Sequence, residues 1–307
     1  MGVLLTAAAI AASVGAGVWA EQRRPDVAAK GSRQALLVVL YGFVPVVVFF
    51  NLAASNLDLA HGVGLLVGIV SIAVTALFAG LIASRFLDLR RDQVGAVICA
   101  VLAVNSAYMG YPLTVALLGR EELSTAVLFD VLVCAPALLL GAFAVGAAFG
   151  TRAGESPRER VHAFFARNPP LYAAIAGLLA PPVLAPDFLV DASQTLVIAI
   201  LPVGFFAVGA TLAENAESGK LPMPPRLSRP VILAVVSRLA IAPALLIALS
   251  APLVDLPSAY LLVAAMPTGV YSMVVAHAYG LDLEIIAEAV AWSTAIVIVA
   301  ALGSLLF

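Results

Sequence analysis

Charge is what this chain has least of. Only 11 per cent of its 307 residues are charged and 63 per cent are hydrophobic, where a soluble domain carries about a quarter charged residues. With a strongly positive mean hydropathy, that excludes a soluble globular domain and implies a polytopic membrane protein. Cysteine is scarce too. Cys99 and Cys134 both lie inside apolar runs without metal-ligand spacing, so they read as packing residues, and no metal or cofactor is expected. The basic residues form no large cluster, which removes nucleic acid as a partner. His-Glu-x-x-His, Gly-x-Ser-x-Gly and paired Gly-x-Gly-Asp arrangements are missing, so an intramembrane enzyme has no motif to stand on. The first apolar stretch, Leu4 to Trp19, lacks a positive n-region, and Arg23, Arg24 and Lys30 follow it instead. It reads as a retained helix, not a signal peptide. Period-2 alternation is also lacking, which argues against a β-barrel.

What the chain does have is long apolar runs. Ten can be counted, near 3–20, 34–54, 62–86, 93–118, 122–149, 169–185, 190–213, 230–251, 257–280 and 283–307. The positive charges orient them. Arg23, Arg24, Lys30 and Arg33 follow the first run, and Arg85, Arg90 and Arg91 the third. Arg152, Arg158, Arg160 and Arg167 follow the fifth, and Lys220, Arg226 and Arg229 the seventh. These are 14 of the 16 lysines and arginines, and the even-numbered connections hold only Arg120. Such alternation predicts an all-α protein of ten transmembrane helices in the plasma (inner) membrane, with both termini extracytoplasmic. The longest connection, 150–168, is then a cytoplasmic linker between repeats at 1–149 and 169–307.

An odd number of helices per half inverts the second half relative to the first. The halves echo each other: Phe43-Val-Pro45 through Phe50 resembles Ile200-Leu-Pro202 through Phe206. Gly119-Arg-Glu-Glu122 resembles Gly280-Leu-Asp-Leu-Glu284. Two of the runs are interrupted. Asn105-Ser-Ala-Tyr-Met-Gly-Tyr-Pro112 lies about a dozen residues from either end of the fourth, near mid-depth of a ~30 Å hydrocarbon slab. Pro267-Thr-Gly-Val-Tyr-Ser272 matches it in the ninth. Paired broken helices in two halves of a chain point to the binding site of a secondary transporter.

The same residues resemble the auxin efflux carrier family, whose bacterial members include permeases for malate, malonate and similar acids. Asn105-Ser-Ala-Tyr-Met-Gly-Tyr-Pro-Leu113 with Leu118-Gly119 is similar to the family's Asn-Thr-Gly-Phe-x-Gly-x-Pro-Leu and its following Phe-Gly. Met266-Pro267, Ala276, Tyr279-Gly280, Asp282 and Ser293-Thr294 are close to its last two helices. Asn168-Pro169-Pro170, Gly177-Leu178-Leu179, Arg238-Leu239 and Pro243 extend the match. The resemblance implies a fold like that of sodium/bile-acid symporters: a 5+5 inverted repeat, scaffold helices 1, 2, 6 and 7, and core helices 3–5 and 8–10. Helices 4 and 9 would be unwound and cross at the site. Ala107 and Tyr271 depart from the family pattern, standing where a glycine and a second asparagine are usual.

Substrate contact is accordingly expected from Asn105, Tyr108, Gly110, Pro112, Pro267, Thr268, Gly269 and Tyr271. The substrate is expected to be a small organic anion. Tyr111 is expected to line the cavity or the core, and Asn51 is a lesser polar candidate on helix 2. Asp130 lies ~13 Å into helix 5, where a carboxylate marks an ion or proton site. Glu288 and His277 lie nearer the inner face. Arg238, midway in helix 8, needs an anion or water close by. An internal ion pair with Asp130 or Glu288 competes there with direct substrate contact. The coupling ion is expected to be a proton rather than sodium, although a sodium symporter or cation/proton antiporter of the same fold is the alternative. Lipid surrounds the chain, and a homodimer is allowed for.

The charge alternation makes a direct prediction. A cysteine introduced within 152–160 should react with a membrane-impermeant maleimide only from the cytoplasmic side; labelling from outside would overturn the ten-helix count.

Overall fold

The computed structural model describes residues 3–54, 59–151, 169–217 and 225–304. The linker expected at 150–168 lies, from residue 152 on, outside them. The described residues are overwhelmingly helical and contain no named strand. In chain order the α-helices are α1 Val3–Arg23, α2 Pro25–Val38, α3 Val44–Ala53, α4 Leu59–Phe86, α5 Arg91–Leu102, α6 Tyr111–Leu117, α7 Leu123–Phe129 and α8 Phe143–Phe149. They continue as α9 Pro169–Leu179, α10 Asp187–Glu217, α11 Arg229–Val236, α12 Ala242–Ser250, α13 Ser258–Ala264, α14 Tyr271–Tyr279 and α15 Leu283–Gly303.

Several boundaries between these helices are not ends but wide turns. Five- or six-residue π-turns at Val39–Phe43, Asp130–Cys134, Ala137–Ala142 and Ser237–Ile241 carry the chain from one α-helix into the next. Pro45, Pro136 and Pro243 sit beside such turns. A widened turn gives the proline ring room and absorbs the missing donor. Among the described residues five stretches are long and apolar enough to cross a membrane: Gly62–Phe86, Leu123–Phe149, Asp187–Ala207, Arg229–Ser250 and Leu283–Ala301, the second and fourth running through these turns. They coincide with the third, fifth, seventh, eighth and tenth runs of the sequence. Tyr41–Ala53 and Pro169–Leu179 are apolar but shorter. The fourth and ninth runs fall below spanning length for a clear reason: each is two half-helices, α5 with α6 and α13 with α14.

Packing sorts the helices. α1 lies along α10, α2 also packs on α10, and α9 lies against α3. These contacts are close backbone approaches. A Cβ on Gly17 of α1 would collide with the Phe206 carbonyl of α10, and one on Gly209 with the Val14 carbonyl of α1. A Cβ on Gly177 of α9 would lie 2.7 Å from the Phe49 carbonyl oxygen of α3. Small residues at helix seams are what packing in lipid favours, because no hydrophobic gain separates helix from acyl chain. Asn51 of α3 spends its amide on this group of helices, donating to Ser193 Oγ (3.1 Å) and accepting from Gln194 Nε2 (3.3 Å). It is a structural tie.

The other helices gather around α5, which packs against α4, α8, α11 and α15, while α4 also packs on α12. The start of α5 is clasped to the turn between α14 and α15. Arg90 bonds Asp92 at 3.0 Å, Gln93 donates to Asp282 at 3.1 Å, and Arg90 reaches Asp282 at 3.7 Å. The two glycines of the echoed exits, Gly119 and Gly280, both take positive φ, of 106° and 74°. That conformation ends α6 and α14 at little cost only because neither residue has a Cβ.

Candidate functional site

The break in the fourth run falls at Ala103–Asn105, ahead of Pro112. α5 stops at Leu102, three residues run extended or irregular, and helix resumes through a π-turn at Ser106–Gly110 into α6. Pro112 occupies the first turn of α6, just past the widened turn, where its lost N–H is least missed. In the ninth run α13 stops at Ala264 and α14 begins at Tyr271.

The two unwound segments lie against each other. Asn105 N donates to Pro267 O at 2.9 Å, and Gly269 N donates to Ala103 O at 2.7 Å, making an antiparallel bridge of Val104 with Thr268. Unpaired backbone groups in a bilayer cost on the order of several kcal/mol each, and each break satisfies the other. Thr268 closes the contact further, its hydroxyl donating to Ala100 O (2.9 Å) and its N–H to Ser293 Oγ (3.1 Å). Gly269 is what lets the backbones meet. A Cβ there would sit 2.9 Å from the Val104 carbonyl oxygen and 3.0 Å from its carbon.

Asn105 is buried, 3% exposed, and its side-chain oxygen has no hydrogen-bond partner. Its amide therefore keeps spare capacity, and half a turn of the amide exchanges acceptor for donor. Beside it the helix starts at Ser106 and at Tyr271 offer N-terminal ends, where backbone N–H groups and the macrodipole favour an anion. The rings of Tyr108 and Tyr271 stack at 6.3 Å between centroids and 17° between planes. Tyr108 also rests on α10, where a Cβ on Gly204 would be 3.0 Å from its own Cβ. Gly110 faces Met266, whose Cγ a Cβ would approach to 3.3 Å.

Asp130 belongs to this site through its neighbours. Ser106 Oγ donates to one carboxylate oxygen at 2.5 Å and Tyr111 Oη to the other at 2.6 Å. These two partners were not legible beforehand: a serine and an aspartate 24 residues apart, on different runs, share no sequence pattern. The ion pair expected for Arg238 is replaced by something else. Arg238 is 1% exposed and gives its donors to backbone carbonyls: Nε to Met266 O (3.1 Å), Nη1 to Val101 O (3.2 Å) and Nη2 to Ala264 O. Glu288 is remote from it in bonding, accepting the Arg226 N–H at 3.0 Å beside the 225–228 segment. His277 is on the exposed side of α14, so of the four residues expected to couple ions, only Asp130 and Arg238 reach the interruption.

The profile of a family described as membrane transport protein matches residues 13–151 and 159–304 of the chain. The chain belongs to the auxin efflux carrier family. Among its relatives, it is 23% identical over 269 residues to an uncharacterized transporter of Methanocaldococcus jannaschii, with 82% of each chain covered. The family match spans both interruptions.

The close approach of the two breaks should be more sensitive to added bulk than the π-turn beside it. Gly269→Ala meets backbone and should cost about 1–3 kcal/mol of stability together with transport. Gly110→Ala meets only the flexible Met266 and should be milder in both. Melting temperatures and uptake of the two variants, measured side by side, check this ordering.

Proposed function

We propose that this family member is a secondary active transporter of a small organic anion, a carboxylate, working by alternating access and coupled to protons. The observation that carries the reading is the paired interruption around Asn105: a buried amide with an unused oxygen, two helix N-terminal ends, and a carboxylate one residue away. An anionic substrate gains from both helix ends, while the stacked tyrosines favour a flat or short apolar body.

In this reading the chain forms ten transmembrane helices in a 5+5 inverted repeat, with the interrupted helices crossing at the site. It lies in the plasma membrane with both termini outside. The packing of α1, α2, α3, α9 and α10 on one another supports a scaffold of helices 1, 2, 6 and 7. The gathering of α4, α8, α11 and α15 around α5, with α12 against α4, supports a core of helices 3–5 and 8–10 that carries the site. The residues that would meet substrate are Asn105, Tyr108 and Tyr271, since the N–H groups of Thr268 and Gly269 are already given to Ser293 and Ala103.

Asp130 would be the proton carrier. As a carboxylate it accepts both Ser106 and Tyr111. Once protonated, one oxygen becomes an O–H donor, and one of those two hydroxyls must find another acceptor. Ser106 follows Asn105 directly and opens the π-turn, so the state of Asp130 is felt in the backbone of the binding site. Substrate and proton are thereby linked.

Two measurements test the reading. Asn105→Ala should abolish uptake of a carboxylate substrate in proteoliposomes while leaving the melting temperature nearly unchanged; undiminished transport would reduce Asn105 to a residue that ends a helix. Asp130→Asn should still bind substrate and catalyse counterflow but lose gradient-driven uptake. Gradient-driven uptake with normal pH dependence in that variant would move the proton route elsewhere.

A further inference from the structure

Arg238 is the one guanidinium buried among the described residues, and its surroundings are those of a metal ion rather than of an arginine in an ion pair. Its three bonds go to oxygens from two different half-helices: Val101 at the end of α5, and Ala264 and Met266 at and beyond the end of α13. Both sets are C-terminal carbonyls, the groups a helix leaves without intrahelical donors. Each helix end carries about −0.5 of a charge, so two ends facing one site present about −1. A single fixed positive charge balances that. The two buried acids expected as its partners are otherwise engaged: both oxygens of Asp130 accept hydroxyls, and Glu288 accepts the Arg226 N–H.

Rings of backbone carbonyls are the ligands that desolvate alkali-metal ions in membranes, and broken helices supply such carbonyls to coupling cations. Here the oxygens are already taken by a side chain that keeps its charge and cannot diffuse away. We propose that Arg238 is a tethered cation: its guanidinium permanently fills the carbonyl cage between the two interrupted helices, so that no dissociable alkali-metal ion binds there, and removing it turns the cage into a monovalent cation site. Within the transporter reading, on which only this last consequence rests, the core crosses the membrane with its positive charge attached and leaves ion coupling to Asp130.

The test is thermal stability of the purified protein, which does not depend on transport. The wild type should melt at the same temperature in lithium, sodium, potassium and choline chloride at equal ionic strength; stabilisation specific to one alkali metal would overturn the proposal. Arg238→Ser, which vacates the cage, should melt lower and be rescued by millimolar guanidinium or by sodium or lithium, but not by choline. A folded serine variant that responds to none of them would overturn it. Should that variant not fold, Arg238→Lys and Arg238→Gln decide the matter. Lysine keeps the charge and should melt nearer the wild type than glutamine, which keeps donors alone; equal melting would reduce Arg238 to a hydrogen-bonding cap. Because these outcomes are read without substrate, a loss of the transport reading through Asn105→Ala would leave them standing.

Discussion

Backbone amides cannot be left bare in an apolar interior, and this chain breaks two helices where both breaks are buried within the protein. The solution is reciprocal. Ala103–Asn105 and Pro267–Gly269 exchange two hydrogen bonds, as neighbouring strands do, and neither break would be tolerable alone. Much of the surrounding sequence serves that contact. Gly269 removes the Cβ that would hold the backbones apart, Thr268 spends its hydroxyl and its N–H on Ala100 and Ser293, and Arg238 collects the carbonyls that the halted helices leave over. What remains is the surface proposed to receive substrate: the opposite, N-terminal ends of the half-helices and the amide of Asn105.

The buried charges are arranged by the same accounting. In a low-dielectric interior an acid and a base at similar depth are expected to find each other. Here they do not. Arg238 is matched by peptide dipoles and Asp130 by two hydroxyls, so neither depends on the other for its partners. A carboxylate held by hydroxyls can gain a proton without stranding a buried cation, whereas one paired with arginine would leave that cation exposed to hydrocarbon. Under the proposed coupling, the separation of the two charges would let Asp130 change its protonation while Arg238 keeps its carbonyl partners.

Much of this was legible in the residues. Glycine and proline inside apolar runs located both interruptions, and the exits at Gly119 and Gly280 were visible as an echo before their shared positive φ was known. The point of the break was not: Pro112 draws the eye, but a π-turn accommodates it, and the helix halts ten residues earlier, at Leu102. Arg238 shows why side chains alone mislead. Its partners are carbonyls, which every residue possesses, so residue identity cannot announce them. Asn51 looked like a polar residue in search of a ligand and is a strut between α3 and α10, because its partners Ser193 and Gln194 lie 142 and 143 residues away.

The face of Tyr108 rests on bare backbone at Gly204 of α10, and its ring is stacked on Tyr271. That contact joins α10 to the interruption. It also works as a feeler gauge. Any side chain at position 204 would press on Tyr108 at its Cβ and Cδ1, and so on the ring stacked against Tyr271. The placing of the two rings is therefore set partly from α10, by the absence of a single carbon.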